Sequence, residues 1–221
     1  MKTNVAQLLE NNKVTVIGEV IENFAFDHAV NGESFYRTKI SVDRFSDNSD
    51  EIVVVISEKL VDVTSDPVGA YIKVEGQYRS YNKKAEDKTR LILFVFAREI
   101  EQLEVLPTPD ECNNIRLEGT LCKKPIHRKT PLGNLITDIS LAVNRCYGKS
   151  DYIPCISWRD TAVEMADLNV GDKIKIYGRI QSRLYNKKIS DDQIEERTAY
   201  EVSINKFELL QKAEEKVAVN E

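Results

Sequence analysis

The fold of this chain is decided by residues 135–159, LITDISLAVNRCYGKSDYIPCISWR. In the first part of this stretch apolar side chains recur at every second residue from Leu135 to Val143, with small or polar residues between them. Such alternation predicts a β-strand with one buried and one solvated face. After a turn region around Gly148, residues 152–159 predict a second strand. The stretch therefore predicts two neighbouring strands of a half-buried sheet.

The second predicted strand carries its large aromatic residues on one face. Tyr152 and Trp158 share this face with Pro154 and Ile156, whereas the opposite face ends in the small Ser157. Two interpretations are open. The rings form a second core layer, or they form a platform on which nucleic-acid bases stack, each stack contributing about 1–3 kcal/mol.

The chain contains an internal repeat. Residues 68–84, VGAYIKVEGQYRSYNKK, correspond to residues 170–188, VGDKIKIYGRIQSRLYNKK, and the copies begin with VTVIGEV (14–20) and IRLEGTL (115–121). A period of about 100 residues indicates two domains, each large enough to bury its own core. Prolines between the copies mark a linker. We predict the following division: residues 1–105 as a first domain, 106–113 as the linker, 114–211 as a second domain and 212–221 as a tail.

Each copy predicts five short strands, and in the second copy a helix follows the third strand. Thr161 and Glu164 have the spacing of a capping box, so we expect a short helix to begin there; the corresponding helix of the first copy is weaker. This order is that of an OB-fold. The predicted fold class is all-β, with two tandem OB-fold (five-stranded Greek-key) barrels, each with one short helix after the third strand. Glycines fall at core-facing positions of bent strands: Gly18, Gly76, Gly119 and Gly178.

The composition excludes several classes of function. No apolar run is long enough to span a bilayer, and the N-terminal residues lack the apolar centre of a signal peptide. The four cysteines form no C-x-x-C pair, and His28 and His127 complete no ligand spacing, so we expect no metal, no cofactor and reduced thiols in a cytoplasm. An acidic cluster between the fourth and fifth strands could bind a cation, but we expect it to be a solvated loop; its members are Asp191, Asp192, Glu195 and Glu196. With no catalytic constellation, the chain is predicted not to be an enzyme.

The charge is unevenly divided between the copies. The chain carries a net charge of −5. Residues 13–104 contain 12 Lys and Arg against 17 Asp and Glu, whereas residues 114–211 contain 16 against 13. A surface that neutralises phosphates needs an excess of cations. The second copy is therefore the predicted binding half, and the first copy is interpreted as partly degenerate for binding.

Cations and aromatic residues alternate along the fourth strand of the second copy. Ile174, Ile176 and Ile180 are expected to face inward, so the residues between them face solvent. Interleaved cations and rings are what a groove for a single strand requires, although a solvated basic face is the alternative. The candidate residues on this strand are Lys173, Lys175, Tyr177, Arg179, Arg183 and Tyr185. The loop after the first strand adds Lys123, Lys124, Arg128 and Lys129.

The second copy resembles the bacterial single-stranded DNA-binding protein family. The resemblance is carried by P-x-x-R-x-T-P-x-G (125–133), ISLAVNR (139–145), DYIPCISW (151–158) and VGDKIKIYGRIQSR (170–183). It implies stacking of bases on Tyr147, Tyr152, Trp158 and Tyr185, with Arg145 among the cations. Alignment of the copies pairs Tyr152 with Ile52 and Trp158 with Glu58, which is why the first copy is interpreted as partly degenerate. Tyr185 aligns with Tyr81.

The resemblance implies sequence-tolerant binding of single-stranded DNA in replication, repair or recombination, in the cytoplasm of a bacterium or of a phage host. Members of the family assemble four OB-folds, so two copies in one chain predict a homodimer. The sequence ends without the glycine-rich linker and acidic tip of the family, which leaves recruitment of replication or recombination proteins by a tail open. The alternatives are a replisome or primosome interaction protein and an RNA-binding OB protein.

Overall fold

The structure is a computed structural model that describes residues 10–213 apart from five short gaps. The gaps are Asp47, residues 85–88, Leu106, Asp110 and residues 191–192. The side chains of Tyr147, residues 188–190 and Gln193 also lie outside the description. Residues 1–9, Asp191 and Asp192 of the acidic cluster and most of the predicted tail therefore lie outside the described residues.

The first half is built from strands that follow the alternation of its sequence. Residues 58–70 connect the third and fourth predicted strands by turns. The strands described in this half are β1 (Asn12–Val20), β2 (Ala25–Val30), β3 (Glu33–Asp43), β4 (Ser49–Ser57), β5 (Tyr71–Lys84) and β6 (Thr89–Gln102).

The second half repeats this series and adds a helix. A 3₁₀ turn at Cys146–Gly148 lies between its third and fourth strands. The described elements are β7 (Asn113–Leu121), β8 (Ile126–Lys129), β9 (Leu135–Asn144), β10 (Ser150–Trp158), α1 (Arg159–Ala166), β11 (Lys173–Ser190) and β12 (Gln193–Gln211).

Strand pairing closes a ring in each half. In the first half β1 pairs with β5 along most of its length and with β3 at its end, while β4 pairs with β6 in parallel. The ring β1-β3-β4-β6-β5 is repeated in the second half as β7-β9-β10-β12-β11. This is the order of an OB-fold. The predicted all-β OB-fold class is confirmed.

Each half contains one strand more than the five predicted. β2 pairs with β3, and β8 pairs with β9. Between β2 and β3, Asn31 and Gly32 both have positive φ, the arrangement of a tight hairpin turn. The prediction that residues 123–129 are a loop is wrong for β8. This segment forms a strand because it pairs with β9, and its own short sequence does not indicate that pairing.

The helices differ from the prediction in both halves. α1 begins at Arg159, two residues before the predicted start at Thr161, and no side chain caps its N-terminus. In the first half the predicted helix after the third strand is absent among residues 58–69. Here Asp62 accepts hydrogen bonds from the backbone N–H and the hydroxyl of Thr64, and these bonds stabilise a turn instead.

Glycines allow the strands of each ring to approach closely. A Cβ atom added to Gly119 of β7 would lie 2.5 Å from the carbonyl oxygen of Ala142 in β9, and one added to Gly18 would collide with Ser41 in β3. Gly76 and Gly178 stand at irregularities in the β5–β6 and β11–β12 pairing. The predicted core-facing glycines are therefore points of close backbone approach.

The two halves share one sheet. β1 pairs with β7 in antiparallel register, with Val14 opposite Ile115, so the described strands form a 12-stranded sheet. Its order is β2-β3-β4-β6-β5-β1-β7-β11-β12-β10-β9-β8. The buried apolar residues form one cluster that extends through both halves. Thus the halves are joined by the pairing of β1 with β7, and the residue boundaries of the domains stay a prediction.

Gly119→Ala should destabilise the protein by about 1–3 kcal/mol, because the added methyl group must displace the β9 backbone. The measurement is urea unfolding followed by circular dichroism. Thr120→Ala, on the same strand but not fully buried, is the matched control and should change the free energy of unfolding by less than about 0.5 kcal/mol. Equal stability of the glycine variant and the control would contradict the closure described above.

Candidate nucleic-acid interface

Two exposed aromatic rings stand on the outer face of β10. Tyr152 is 49% exposed and Trp158 is 37% exposed. Six residues separate them on one strand face, which places them about 20 Å apart. Ile156, which lies between them in the same alternation, is only 4% exposed. The outer face is therefore covered at its centre and open at both ends, where the rings lie.

The neighbouring strands complete a surface around these rings, which we call the platform: the outer face of β8, β9 and β10. Trp158 lies opposite Ile136 of β9, which in turn lies opposite Arg128 of β8. Strands are about 4.8 Å apart, so Arg128 and Trp158 are about 10 Å apart in one row. Tyr152 lies opposite the small Ala142, which leaves its ring accessible.

Exposed cations flank the platform. Lys123, Lys124 and Lys129 are exposed and make no ion pair with any described residue. Arg128 donates to Asp138 of β9 at 2.7 Å. Arg159 follows Trp158 directly, is exposed and has a φ of 54°, which marks a sharp turn between β10 and α1. Arg159 was not predicted as a candidate, although its position after the tryptophan is visible in the sequence.

β11 lies farther from the platform than the sequence suggests. β12 separates β11 from β10, with Ile156 opposite Ser203 and Ser203 opposite Arg179. The part of β11 that holds Lys173, Lys175 and Tyr177 pairs with β12 on one side and with β7 on the other. Lys173 forms an ion pair with Glu118 at 2.5 Å, and Lys206 lies 5.7 Å from the Tyr177 ring. These residues belong to a face of mixed charge beside the platform.

The other end of β11 is more open. Arg183 is exposed, and Tyr185 is 37% exposed. Tyr185 lies opposite Arg197 of β12 in a hairpin that extends beyond the ring of strands. The backbone of Tyr147 lies in the 3₁₀ turn before β10, and its side chain lies outside the described residues. The structure therefore brings Tyr152, Trp158 and Arg128 together, with Arg183 and Tyr185 on a separate hairpin.

Two of the predicted cations lie at the junction of the halves. The buried carboxylate of Asp50 accepts hydrogen bonds from Arg44 at 2.8 Å, from Arg179 at 3.0 Å and from the backbone N–H of Ser182 at 2.7 Å. Arg44 belongs to the same half as Asp50, whereas Arg179 and Ser182 belong to the other half. Burial and the nearby Arg44 lower the pKa of Arg179, and hydrogen bonding to Asp50 raises that of Arg44.

The second half repeats the arrangement. The buried Asp151 accepts from Arg145 at 2.7 Å and from the backbone N–H of Ser80 at 2.5 Å, and Arg145 also donates to the Ser80 carbonyl at 2.8 Å. Arg145 and Arg179 were predicted to contact DNA. Because their guanidinium groups bind buried carboxylates at the junction, we assign them a structural role.

A signal for this junction is present in the sequence but was missed. Arginine precedes aspartate by six residues in both copies, as Arg44 with Asp50 and Arg145 with Asp151. These equivalences also correct the alignment of the copies. Ile40 lies opposite Ile52 as Leu141 lies opposite Ile153. Tyr152 and Trp158 therefore correspond to Glu51 and Ser57, one residue before the predicted Ile52 and Glu58, because the alignment of short strands does not fix their register.

Among the described residues no group of three or more His, Cys, Asp and Glu side chains is placed to hold a metal ion. Nor does any helix in this part of the chain have the length and apolar character needed to cross a membrane.

Comparison with known proteins gives a consistent result. Residues 112–210 match the model of the "Single-strand binding protein family". A protein of Listeria innocua named "Single-stranded DNA-binding protein 2" is 38% identical over 80 residues, which cover 33% of this chain and 50% of that protein. The single-stranded DNA-binding protein of Deinococcus radiodurans is 29% identical over 163 residues, 64% of this chain and 52% of that protein. The chain spans about half the length of these curated relatives.

A solved structure resembles both halves together. The wild-type single-stranded DNA binding protein from Thermus aquaticus superposes with a TM-score of 0.68 at 24% identity, over 91% of this chain and 94% of that one. At this identity the likeness shows the fold. It covers the described strands of both halves, which supports the paired OB arrangement.

Asp50→Ala should destabilise the protein by about 3–5 kcal/mol, because it leaves two arginines at the junction without their buried carboxylate. Urea unfolding measures this effect. Glu51→Ala is the matched control, since Glu51 is exposed and pairs with Lys39 at the surface at 3.3 Å; its expected effect is below about 1 kcal/mol. If both variants unfolded at the same urea concentration, Asp50 would not hold the halves together.

Proposed function

We propose that this chain is a member of the single-strand binding protein family, that it binds single-stranded DNA with tolerance of sequence and that it carries out no enzymatic reaction. The observation that carries the proposal is the platform, where Tyr152 and Trp158 are exposed on one strand face with Arg128 in the same row as Trp158. Every base has a π-face, so rings placed in this way bind strands of any sequence.

In this proposal the rings and the cations have different tasks. Tyr152 and Trp158 stack on bases about 20 Å apart along the strand, a distance that leaves room for further nucleotides between them. The lysines and Arg128 neutralise phosphates and release counterions. Tyr147, Tyr185 and Arg183 extend the proposed surface. Lys173, Lys175 and Tyr177 stay candidates, although their distance from the platform gives them less support.

We also propose the setting in which this binding acts. Protection of single strands in replication, repair or recombination in the cytoplasm follows from the family, and replication or recombination proteins are the proposed partners. Two copies of the chain would bring four OB-folds together as a homodimer. Sedimentation analysis tests this assembly, and a monomer at all accessible concentrations would exclude it.

Trp158→Ala should weaken binding of oligo-dT by about 1–3 kcal/mol while leaving the protein folded, because one base loses its stacking partner. Fluorescence anisotropy of labelled oligo-dT measures the affinity. Trp158 is the only tryptophan of the chain, so its quenching by DNA reports this position directly in the unmodified protein.

The matched control is Tyr71→Ala, which removes a ring that is 37% exposed, as Trp158 is, but lies on β5 of the first half. Its affinity for oligo-dT should equal that of the unmodified protein. A tryptophan whose emission is indifferent to DNA, together with unchanged affinity of Trp158→Ala, would remove Trp158 from the site.

The lysines of the 123–129 segment should contribute to the salt dependence of binding. For single strands the slope of log K against log salt is about 0.7 per phosphate neutralised, so Lys123→Ala combined with Lys124→Ala should reduce it by about 1.4. Titrations at several salt concentrations measure the slope. Lys206→Ala, which removes a cation from the face of mixed charge, should leave it unchanged. If the Lys123 and Lys124 double variant and Lys206→Ala changed the slope equally, the DNA would not follow the platform.

A further inference from the structure

We propose that the first half also binds the DNA strand, through an aromatic and basic surface whose residues do not align with those of the second half. This surface, the first-half face, consists of His28, Phe35, Arg37, Arg79, Phe96 and Arg98. The inference rests on the proposed function and assigns it a second site. It replaces the interpretation of the first half as partly degenerate.

Three aromatic rings of this face are in contact across β2, β3 and β6. The His28 ring stacks on Phe35 with centroids 4.9 Å apart and planes at 11°, and Phe35 lies 5.6 Å from Phe96. His28 is exposed, Phe35 and Phe96 are partly buried, and all three lie on the outside of the ring of strands, opposite core residues such as Val95. A continuous ring surface on the outside of a sheet is a stacking platform for bases.

Arginines surround these rings. Arg79 lies 4.2 Å from the centroid of Phe96, and Arg98 lies 5.2 Å from it on the same strand. Arg37 is exposed on β3, two residues from Phe35. None of these three arginines forms an ion pair with a residue that the structure describes. Burial, with Arg145 and Arg98 nearby, lowers the pKa of Arg79 to about 10, so it still carries its charge at neutral pH.

The polar contacts of Arg79 leave it able to bind an anion. It donates to Gln77 at 2.9 Å, and its Nε is buried without a hydrogen-bond partner. Because the Nε is buried, a phosphate would be attracted by the charge of the remaining guanidinium group. Three arginines that form no ion pair with a described residue, beside rings that are at least partly exposed, are complementary in charge and shape to a phosphate backbone with unstacked bases.

Comparison of the halves shows that the exposed aromatic side chain lies on a different strand in each half. Ser57 of β4 occupies the position of Trp158, and Phe35 of β3 lies directly opposite Ser57. The arginine of the fourth OB-fold strand also stands at a different position in each half. Asn12 bonds the backbone of Tyr78 as Asn113 bonds that of Ile180, so Gln77 corresponds to Arg179 and Arg79 to Gln181. The first half thus has no counterpart of Arg179 at the junction and has instead an arginine, Arg79, on its outer face.

The two surfaces adjoin each other. The backbone N–H of Tyr152 donates to the hydroxyl of Ser80 at 2.9 Å, and Ser80 follows Arg79 in β5. A DNA strand bound along β10 from Trp158 to Tyr152 would therefore reach the first half next to Arg79 and Phe96. One continuous path of rings and cations leads from the platform to the first-half face.

The test uses the full chain and two oligonucleotides, dT of about 8 and about 30 residues, since one OB-fold binds about 4–16 nucleotides. The variant carries Phe35→Leu and Phe96→Leu, which preserve apolar packing and remove the π-faces. We expect the affinity for the long oligonucleotide to fall about tenfold or more in anisotropy titrations. Quenching of Trp158 by the short oligonucleotide should be unchanged, because it reports the platform.

Phe26→Leu is the matched control, because Phe26 is 63% exposed in the same half but contacts Tyr36 instead of the first-half face; it should bind both oligonucleotides as the unmodified chain does. Arg98→Ala changes an exposed residue only and should reduce the salt slope for the long oligonucleotide by about 0.7. Unchanged affinity and slope in both variants would overturn the inference and leave the platform intact. Failure of the unmodified chain to quench or bind either oligonucleotide would overturn the proposed function itself.

Discussion

Two buried carboxylates hold the halves of this protein in one relative position. A buried charge costs several kcal/mol unless its hydrogen bonds are complete. Asp50 meets this condition because it accepts hydrogen bonds from Arg44 of its own half and from Arg179 and Ser182 of the other half. Asp151 meets it because it accepts from Arg145 of its own half and from Ser80 of the other half. A small displacement of one half would leave a carboxylate partly unsatisfied, so the junction tolerates little movement. The β1–β7 pairing fixes the same arrangement through backbone bonds.

This constraint decides which cations are available at the surface. Counting Lys and Arg along the second copy treats Arg145 and Arg179 as part of a basic face, yet both bind carboxylates at the junction. Lys173 is likewise paired with Glu118. In the described part of the chain, the cations that remain beside the platform are the lysines of the 123–129 segment, Arg159, and Arg128, which stays half-exposed although it pairs with Asp138. A charge excess in a sequence is therefore an upper limit on the charge that a ligand encounters.

The sequence predicted those features of the fold that depend on local alternation. The strands, the position of the glycines and the exposure of Tyr152 and Trp158 all follow from period-two patterns and from the family resemblance. Features that depend on distant partners were missed: β8, which forms only against β9, the start of α1 at Arg159, and the sharing of one sheet by both halves. The burial of Ile156 beside two exposed aromatics also needed the structure, because alternation gives the direction of a side chain and not what covers it.

Duplication of the fold within one chain allows the halves to diverge at positions that an assembly of identical copies must keep the same. In an assembly of identical copies, a residue that serves the junction does so in every copy. It is then not available for the outer face in any of them. Here Arg179 serves the junction from one half, while the corresponding Gln77 leaves the carboxylate Asp151 to Arg145 and the Ser80 backbone. The arginine of the first half stands two residues farther along, over Phe96. Because Asp50 receives three donors and Asp151 is satisfied without an arginine from the other half, the asymmetry costs the junction little and provides the first half with an outward-facing cation.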